Sequence, residues 1–192
     1  MRVDQAKTFT DLEFEQLLVF VASHPHAARN RAMVLMTFWA GLRVGELAQL
    51  RFGDVFDANR LPRAEVRLDP AITKGRQART VFVAHKLRDE LRRYAEAHPT
   101  GDPRHALFPT QKHPQRGFTP NTCAQHFLTL YRRAGIAHAS SHSGRRTFIT
   151  QLASKGVPVR VLASLAGHRS IATTQRYIDV NDEMKRSAVE LI

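Results

Sequence analysis

The sequence has few of the residues that crosslink a small fold or bind a metal ion. One cysteine, Cys123, is present among 192 residues. An internal disulfide and a structural zinc site built on thiolates are therefore both excluded. The ten histidines include no HExxH pattern, and those of the proline-rich segment 98–119 lack ligand-like spacing. We expect neither a metal nor a cofactor.

Long apolar runs are also missing. No uninterrupted apolar stretch has the length of a transmembrane helix. The first residues, MRVDQAKTFTDLEF, lack the apolar core of a signal peptide. We therefore expect no membrane association and a cytoplasmic location. The length suits one domain with a substantial core.

Acidic residues are scarce relative to basic ones. Lysine and arginine total 29 against 17 acidic residues, which gives a formal net charge of +12. Such an excess favours a polyanionic partner, DNA or RNA before an acidic membrane surface. The basic residues are spread along the chain, which indicates a folded basic surface instead of a charged tail.

Hydrophobic periodicity predicts a mixed α+β domain that is mainly helical. Thr10 and Glu13 form a capping-box pattern before a first helix that should run to about Ser23. A second helix with a continuous apolar stripe should end at Gly41. Further helices are predicted at 85–97, from Pro120 onwards, and near the C-terminus.

A small three-stranded antiparallel sheet is predicted between these helices. Short runs rich in β-branched and aromatic residues place strands near Val55, at Glu65–Leu68 and at 79–83. The loop between the last two strands makes Lys74 a hairpin residue.

The stretch that begins HSGRRTFITQ and ends at Tyr177 holds the densest set of candidate functional residues. His142 and Arg145 are three residues apart and would be neighbours on a helix surface. Gly167 follows an apolar helical run and suits a left-handed helix end, which places His168 in a turn between two helices. Cationic and donor groups around one hydroxyl nucleophile suit a phosphodiester substrate.

These motifs resemble those of the catalytic domain of tyrosine recombinases, the phage integrase family. The resemblance spans roughly residues 8 to 192. AGLRVGEL matches the first box of the family, TKG the hairpin lysine, HSGR the His-x-x-Arg box and AGH the last histidine. The matching positions are Arg43 and its acidic neighbour Glu46, Lys74, His142, Arg145, His168 and the nucleophile Tyr177.

The resemblance implies the fold of that catalytic domain and a site-specific recombinase acting on double-stranded DNA. Strands would be cleaved and rejoined through a 3′-phosphotyrosyl intermediate, with a tetramer assembled on DNA and no need for ATP or metal. Arg43, held by Glu46, would grip the non-bridging oxygens of the scissile phosphate together with Arg145.

The remaining roles are implied in the same way. Lys74 would protonate the leaving 5′ oxygen. His142 would accept the proton of Tyr177, and His168 would hydrogen-bond a phosphate oxygen. Arg146, which points away from Arg145 on a helix, is interpreted as structural or as a contact to another phosphate.

Two features depart from the family pattern. Gly144 stands where members usually have an apolar residue, and glycine within a helix costs roughly 1 kcal/mol relative to alanine. The helix therefore begins later, or its backbone passes close to another group. The N-terminal helical domain that usually clamps DNA is absent, so we expect 1–192 to be a single catalytic domain.

Two other functions are compatible with the sequence. The segment ITQLASKGVPVRVLASLAGH has the spacing of a helix-turn-helix, with Gly156 in the turn and Pro158 opening the second helix. A non-catalytic DNA-binding protein would suit the charge equally well. An enzyme like the type IB topoisomerases, which share the chemistry, would relax supercoils without site preference.

The last residues carry an apolar stripe on a short predicted helix. Such a stripe must find a groove on its own body or on a neighbour. If a neighbour receives it, the contact would couple the subunits of a tetramer. The stripe consists of Met184, Ala188, Leu191 and Ile192.

Overall fold

The computed structural model describes residues 6–73, 75–98, 102–111, 113, 115–177, 185–186 and 189–190. Within them the chain is mainly helical, with one small sheet. The helices are α1 (Asp11–Ala22), α2 (Ala27–Trp39), α3 (Val44–Leu47), α4 (Phe52–Val55), α5 (His85–Ala97), α6 (Pro120–Arg133), α7 (Ser143–Ser154), α8 (Val159–Ala166) and α9 (Ile171–Gln175). The strands are β1 (Glu65–Leu68) and β2 (Arg79–Phe82), separated by a 3-10 turn at Pro70–Ile72.

Helix α2 forms the centre of the core. Nine of its 13 residues are buried, because α1, α5 and α7 all pack against it. The predicted capping box of α1 is confirmed. The hydroxyl of Thr10 accepts a hydrogen bond from the Glu13 amide at 3.2 Å, and the Glu13 carboxylate accepts one from the Thr10 amide at 3.0 Å.

The sheet is smaller than predicted. Strands β1 and β2 pair in antiparallel register, with Glu65 opposite Phe82 and Leu68 opposite Arg79. The hairpin that connects them contains Gly75, which has a φ of +95°. Two of the three predicted strands are therefore present where the sequence places them.

The predicted strand near Val55 is wrong, because Val55 is the last residue of helix α4. The Asp54 carboxylate accepts a hydrogen bond from the Arg51 amide at 2.7 Å, which caps this short helix. Val55 is fully buried, so its apolar character reflects core packing. Phe56 forms only an isolated bridge with Pro62.

Helix α7 approaches α2 too closely for a side chain at Gly144. A Cβ there would lie 2.4 Å from Thr37 Oγ1 and 2.8 Å from the ring of Phe38. Of the two explanations for this glycine, a close backbone approach is therefore the correct one, since α7 already includes Gly144. Gly41 supports the same packing, because it turns the chain with a φ of +64° and a Cβ there would lie 2.4 Å from the Phe148 ring.

In the part of the chain that the structure describes, no helix combines the length and the apolar composition that a bilayer crossing requires. The residues of the predicted terminal stripe, Met184, Ala188, Leu191 and Ile192, lie outside that part.

Replacing Gly144 with alanine should destabilise the protein, even though alanine favours a helix by about 1 kcal/mol. The added methyl group would force Thr37 or Phe38 to move within a packed core, and overpacking of this kind costs typically about 1–3 kcal/mol. We expect a net decrease of about 1 kcal/mol in the free energy of unfolding, measured by urea denaturation.

Gly45→Ala is the matched control, because Gly45 also occupies the second position of a helix, α3. A Cβ at Gly45 would meet only Pro120 Cβ at 3.6 Å, so alanine fits there without rearrangement. The control should be at least as stable as the unmodified chain. Equal stability of the two variants would contradict the close approach at Gly144.

Candidate active site

The C-terminal end of α8 is the point at which the predicted site residues meet. Gly167 ends the helix in the left-handed conformation with a φ of +58°, as the sequence predicts. The last carbonyl groups of a helix lack intrahelical partners and carry partial negative charge. Here they accept hydrogen bonds from three arginines that are distant in sequence, Arg43, Arg79 and Arg145.

Arg43 and Arg145 converge on one oxygen atom. Nη2 of Arg43 donates to the carbonyl oxygens of Ala166 at 3.2 Å and Gly167 at 3.0 Å. Nη2 of Arg145 donates to the same Ala166 oxygen, while its Nη1 donates to the carbonyl of Gly41 at 2.5 Å. The guanidinium groups of two separate motifs therefore face the same place.

Glu46 connects two of these arginines. Its carboxylate, 1% exposed, lies 2.7 Å from Arg43 Nη1 and 2.6 Å from Arg79 Nη2. Burial alone would raise the pKa of Glu46, but the hydrogen bonds and charges of Arg79 and Arg43 hold it below its usual value. The predicted pairing of Glu46 with Arg43 is therefore present, and it includes a second guanidinium.

Positive charge exceeds negative charge at this point. Three guanidinium groups and one carboxylate leave a formal excess of two positive charges. Burial, followed by the charges of Arg43 and Arg79, lowers the pKa of Arg145 to about 9. Arg145 is still cationic at neutral pH, but its environment opposes that charge. An anion at this position would relieve the repulsion.

His168 lies beside the arginines in the turn after α8. Its Nδ1 is 2.9 Å from Oγ1 of Thr174 on α9, which fixes the orientation of the imidazole. Burial, followed by the charges of Arg145 and Arg43, lowers the pKa of His168 to about 4. The imidazole is therefore neutral at pH 7 and can donate one hydrogen bond. A cavity of about 130 Å³ is lined by Arg43, Thr73, Gln77, Ala78, Arg79, Ala163, Ser164, Gly167, His168 and Arg169.

Tyr177 lies in the turn that follows α9 and is half-buried. Its ring stacks on the imidazole of His168, with ring centroids 5.7 Å apart and an interplanar angle of 23°. The guanidinium carbon of Arg146 lies 5.5 Å from the centroid of the same ring. The candidate nucleophile is thus positioned by the last histidine and by the arginine next to Arg145.

His142 occupies the N-cap position of α7 and is exposed. Its backbone amide donates to Oγ of Ser140 at 3.3 Å, and its carbonyl accepts from the amide of Arg146 at 2.9 Å. His142 therefore lies at the start of α7, one helical turn before the buried Arg145.

Lys74 lies outside the described residues, and its role stays a prediction. The next residue, Gly75, is described. A Cβ at Gly75 would lie 3.6 Å from Cδ of Arg169. Gly75 in the β1–β2 hairpin therefore lies close to the turn that contains His168.

Arg79 is not among the residues that the sequence motifs indicate. A signal was available, because alternate residues of a strand face the same side. Arg79 shares its side of β2 with Val81, which is 2% exposed. An arginine on the buried side of a strand requires acceptors, and Arg79 finds them in Glu46 and in the carbonyl of Leu165 at 2.9 Å.

Among the described residues, no group of three or more His, Cys, Asp and Glu side chains is arranged to hold a metal ion. The side chains that meet at this site carry guanidinium, imidazole and phenol groups. Together they can bind an oxyanion and bring a phenolic oxygen towards it.

Known proteins share both the sequence pattern and the fold. The phage integrase family model matches residues 7–184. Tyrosine recombinase XerA of Thermococcus kodakarensis is 30% identical over 184 residues, which are 96% of this chain and 62% of that protein. Tyrosine recombinase XerD of Neisseria meningitidis is 33% identical over 160 residues, which are 81% of this chain and 52% of that protein.

Solved structures give the same result for the fold. The crystal structure of XerA recombinase has a TM-score of 0.75 and 25% identity, covering 97% of this chain and 65% of that one. The Tn1549 transposon integrase in complex with transposon right end DNA has a TM-score of 0.76 and 17% identity, covering 100% and 68%. This chain spans about half to three fifths of the length of the curated relatives named above. Because the family model covers nearly the whole sequence and the fold agrees, the chain belongs to the phage integrase family.

Proposed function

We propose that this chain is the catalytic domain of a site-specific DNA recombinase, which cleaves and rejoins strands through a 3′-phosphotyrosyl intermediate. The observation that carries the proposal is the convergence of Arg43 and Arg145 on one carbonyl oxygen next to His168 and Tyr177. Three arginines with a single carboxylate leave two positive charges in excess, and a phosphodiester would neutralise one of them.

Arg43 and Arg145 bind the non-bridging oxygens of the scissile phosphate in this proposal. The planar guanidinium group has five N–H donors. The contacts to Glu46, Gly41 and α8 use only some of those on each arginine, so the others can bind phosphate without breaking the scaffold. Donors already fixed in place stabilise a developing charge without reorganisation.

Tyr177 is the nucleophile. Its phenolic oxygen forms a bond to phosphorus while the bond between phosphorus and the 5′ oxygen breaks. His142 accepts the phenolic proton and Lys74 gives a proton to the leaving 5′ oxygen. His168 donates a hydrogen bond from Nε2 to a phosphate oxygen, in the tautomer in which its Nδ1 accepts a hydrogen bond from the Thr174 hydroxyl. The energy of the broken bond is kept in the phosphotyrosyl ester, so rejoining needs no ATP.

The comparisons support DNA as the partner. The similar proteins are named tyrosine recombinases, and the integrase of similar fold is bound to transposon DNA. The net charge of +12 suits a polyanion of that kind. We propose that double-stranded DNA is bound in the cytoplasm, where the nucleoid lies. The same observations favour a recombinase over a non-catalytic helix-turn-helix protein or a type IB topoisomerase-like enzyme.

Tyr177→Phe should abolish covalent attachment to DNA while leaving DNA binding intact, because only the nucleophilic oxygen is lost. The probe is a pool of duplexes of randomised sequence with randomly placed nicks, labelled at the 5′ end of the nicked strand. A nick just beyond the cleavage site releases the short fragment and traps the adduct. Denaturing electrophoresis then detects label attached to protein, and sequencing identifies the cleaved site.

Tyr131→Phe is the matched control, because that tyrosine is 1% exposed and DNA cannot reach it. It should form the adduct at the normal level. DNA binding without any adduct from the unmodified chain would instead support the helix-turn-helix alternative. Relaxation of a supercoiled plasmid at random positions would support the topoisomerase alternative.

His168 should titrate near pH 4 in the DNA-free protein and at a higher pH when DNA is bound. The charges of Arg145 and Arg43 contribute to the lowered pKa, and a bound phosphate would offset them. Between pH 4 and the ordinary value of 6.5 the imidazole is neutral in the folded chain and protonated in the unfolded chain. The free energy of unfolding therefore decreases, because of His168, as the pH falls through that interval.

The imidazole signals in NMR spectra of histidine-labelled protein measure this shift. His126 is the control, because burial and the charge of Arg29 lower its pKa to about 4 as well. Its partner is Asn30, outside the arginine cluster, so DNA should leave its midpoint unchanged. An identical midpoint for His168 with and without DNA would argue against a phosphate next to this ring.

We also propose self-association on DNA through the C-terminal segment. An apolar groove of about 480 Å³ lies open on the described surface, and Phe82 at its edge is 56% exposed. Lys86 and Lys155 lie among its lining residues. The terminal segment combines the apolar stripe with three acidic residues, Asp182, Glu183 and Glu190, against two basic ones, Lys185 and Arg186. Since Glu65 also lines the groove, the match rests mainly on apolar character, with a small charge difference of opposite sign.

Deleting residues 184–192 should prevent tetramers on DNA, measured by light scattering, while single subunits still form the covalent adduct. Phe82→Asp should have the same effect by making the groove polar. Leu61→Asp is the control, since Leu61 is 49% exposed but does not line the groove. Tetramers of normal stability from the truncated chain would eliminate the terminal segment as the coupling element.

A further inference from the structure

We propose that Arg79 is a positioning residue of the active site, which fixes Arg43 and the turn of His168 without touching DNA. The proposal rests on the function proposed above, because it assigns a role within the same site. It concerns a residue on β2, outside the four motifs that carry the resemblance to recombinases.

Arg79 connects two separate elements of the site. Its Nη2 donates to Glu46 Oε2 at 2.6 Å and its Nε to Glu46 Oε1 at 3.3 Å. Its Nη1 donates to the carbonyl of Leu165 at 2.9 Å. One planar guanidinium group therefore holds α3 through a two-point contact and α8 through its last turn. A lysine has a single nitrogen and cannot reproduce that geometry.

The stem of Arg79 also supports the turn before His168. A Cβ at Gly167 would lie 2.5 Å from Arg79 Cδ, so the backbone of that turn packs directly on the arginine stem. The Arg79 side chain is only 9% exposed. Its donors are directed towards protein acceptors, which separates its role from the phosphate binding assigned to Arg43 and Arg145.

Glu46 transmits the effect to Arg43. Its Oε1 accepts from Arg43 Nη1 at 2.7 Å as well as from Arg79 Nε. If Arg79 is removed, a carboxylate that is 1% exposed retains one of its two cationic partners. A buried charge in that position must move to recover hydrogen bonds. Since Arg43 is attached to it, the guanidinium expected to bind phosphate would move too.

The experiment compares Arg79→Met with Arg79→Lys in single-turnover formation of the covalent adduct, using the nicked duplex selected from the pool. At saturating DNA, Arg79→Met should react about 10-fold to 100-fold more slowly, since small misplacements of a reacting group have effects of that size. The dissociation constant for DNA should change by less than about threefold, because the donors of Arg79 are directed to Glu46 and to the carbonyl of Leu165. The rate of adduct formation by Arg79→Lys should lie between that of the unmodified chain and that of Arg79→Met.

A double variant tests the route through Glu46. If Arg79 acts by way of that carboxylate, Arg79→Met combined with Glu46→Gln should react about as slowly as the slower single variant. If the rate of the double variant were instead reduced by the product of the two single reductions, the residues would act independently. That result would rule out an effect of Arg79 through Glu46.

Arg31→Met is the matched control. Arg31 forms a forked pair with Glu90, with contacts of 2.8 and 2.7 Å, between α2 and α5, away from the arginine cluster. Arg31→Met removes an ion pair of the same forked geometry, with Arg31 34% exposed, without touching the site, and it should leave the rate unchanged. Equal losses in Arg31→Met and Arg79→Met would show that the effect is general destabilisation, and the proposal would fail.

A measurement without DNA separates this proposal from the recombinase assignment. In NMR spectra of the DNA-free protein, the Nε–H signal of Arg43 should be sharp in the unmodified chain, broadened in Arg79→Met and sharp in Arg31→Met. An unchanged Arg43 signal in Arg79→Met would overturn the positioning role. Broadening in a chain that forms no adduct at all would retain that role and reject only the proposed function.

Discussion

Repulsion between buried arginines is the constraint on which the arrangement of this site depends. Guanidinium groups from α3, β2 and α7 meet where water has little access, and they stay together only because each has fixed acceptors. One carboxylate and the last carbonyl groups of α8 provide them. The free energy of this arrangement improves further when an anion enters. The proposed affinity for phosphate is thus a consequence of how the fold holds its own charges.

The core determines where those charges lie. Helix α7 can bring Arg145 to the carbonyl of Gly41 only if it packs closely against α2. That packing depends on the two positions at which a side chain would collide, Gly41 and Gly144. A change in the core near Thr37 or Phe38 would consequently displace Arg145. Stability and chemistry share the same contacts in this part of the molecule.

Local patterns of the sequence predicted the helices and the helix ends well. Capping residues and glycines act over a few positions, so the beginning of α1 and the end of α8 could be inferred directly. The strand near Val55 was wrong because its apolar run matched a strand, whereas the Asp54 cap favoured a helix. Lys74 lies outside the described residues, and its role remains a prediction.

Candidate site residues could be named from the sequence, whereas their arrangement in space could not. Family motifs identified Arg43, Glu46, Arg145, His168 and Tyr177, but periodicity cannot show that two arginines share one carbonyl oxygen. That contact joins residues far apart in the chain. Arg79 belongs to no recognised motif. It becomes visible only when the alternation of β2 is combined with the position of Glu46.

The acceptors at the end of α8 belong to the main chain, and this has a consequence for how the protein tolerates sequence change. The side chains of Leu165 and Ala166 could vary while their carbonyl oxygens continued to anchor the arginines. Surveys that replace one side chain at a time would therefore underestimate how much these two positions contribute. Gly167 is different, because any side chain there would strain the left-handed turn and collide with Arg79. One substitution at Gly167 would therefore disturb the turn on which the arginine contacts depend. Several arginine substitutions would be needed to remove the same contacts one by one.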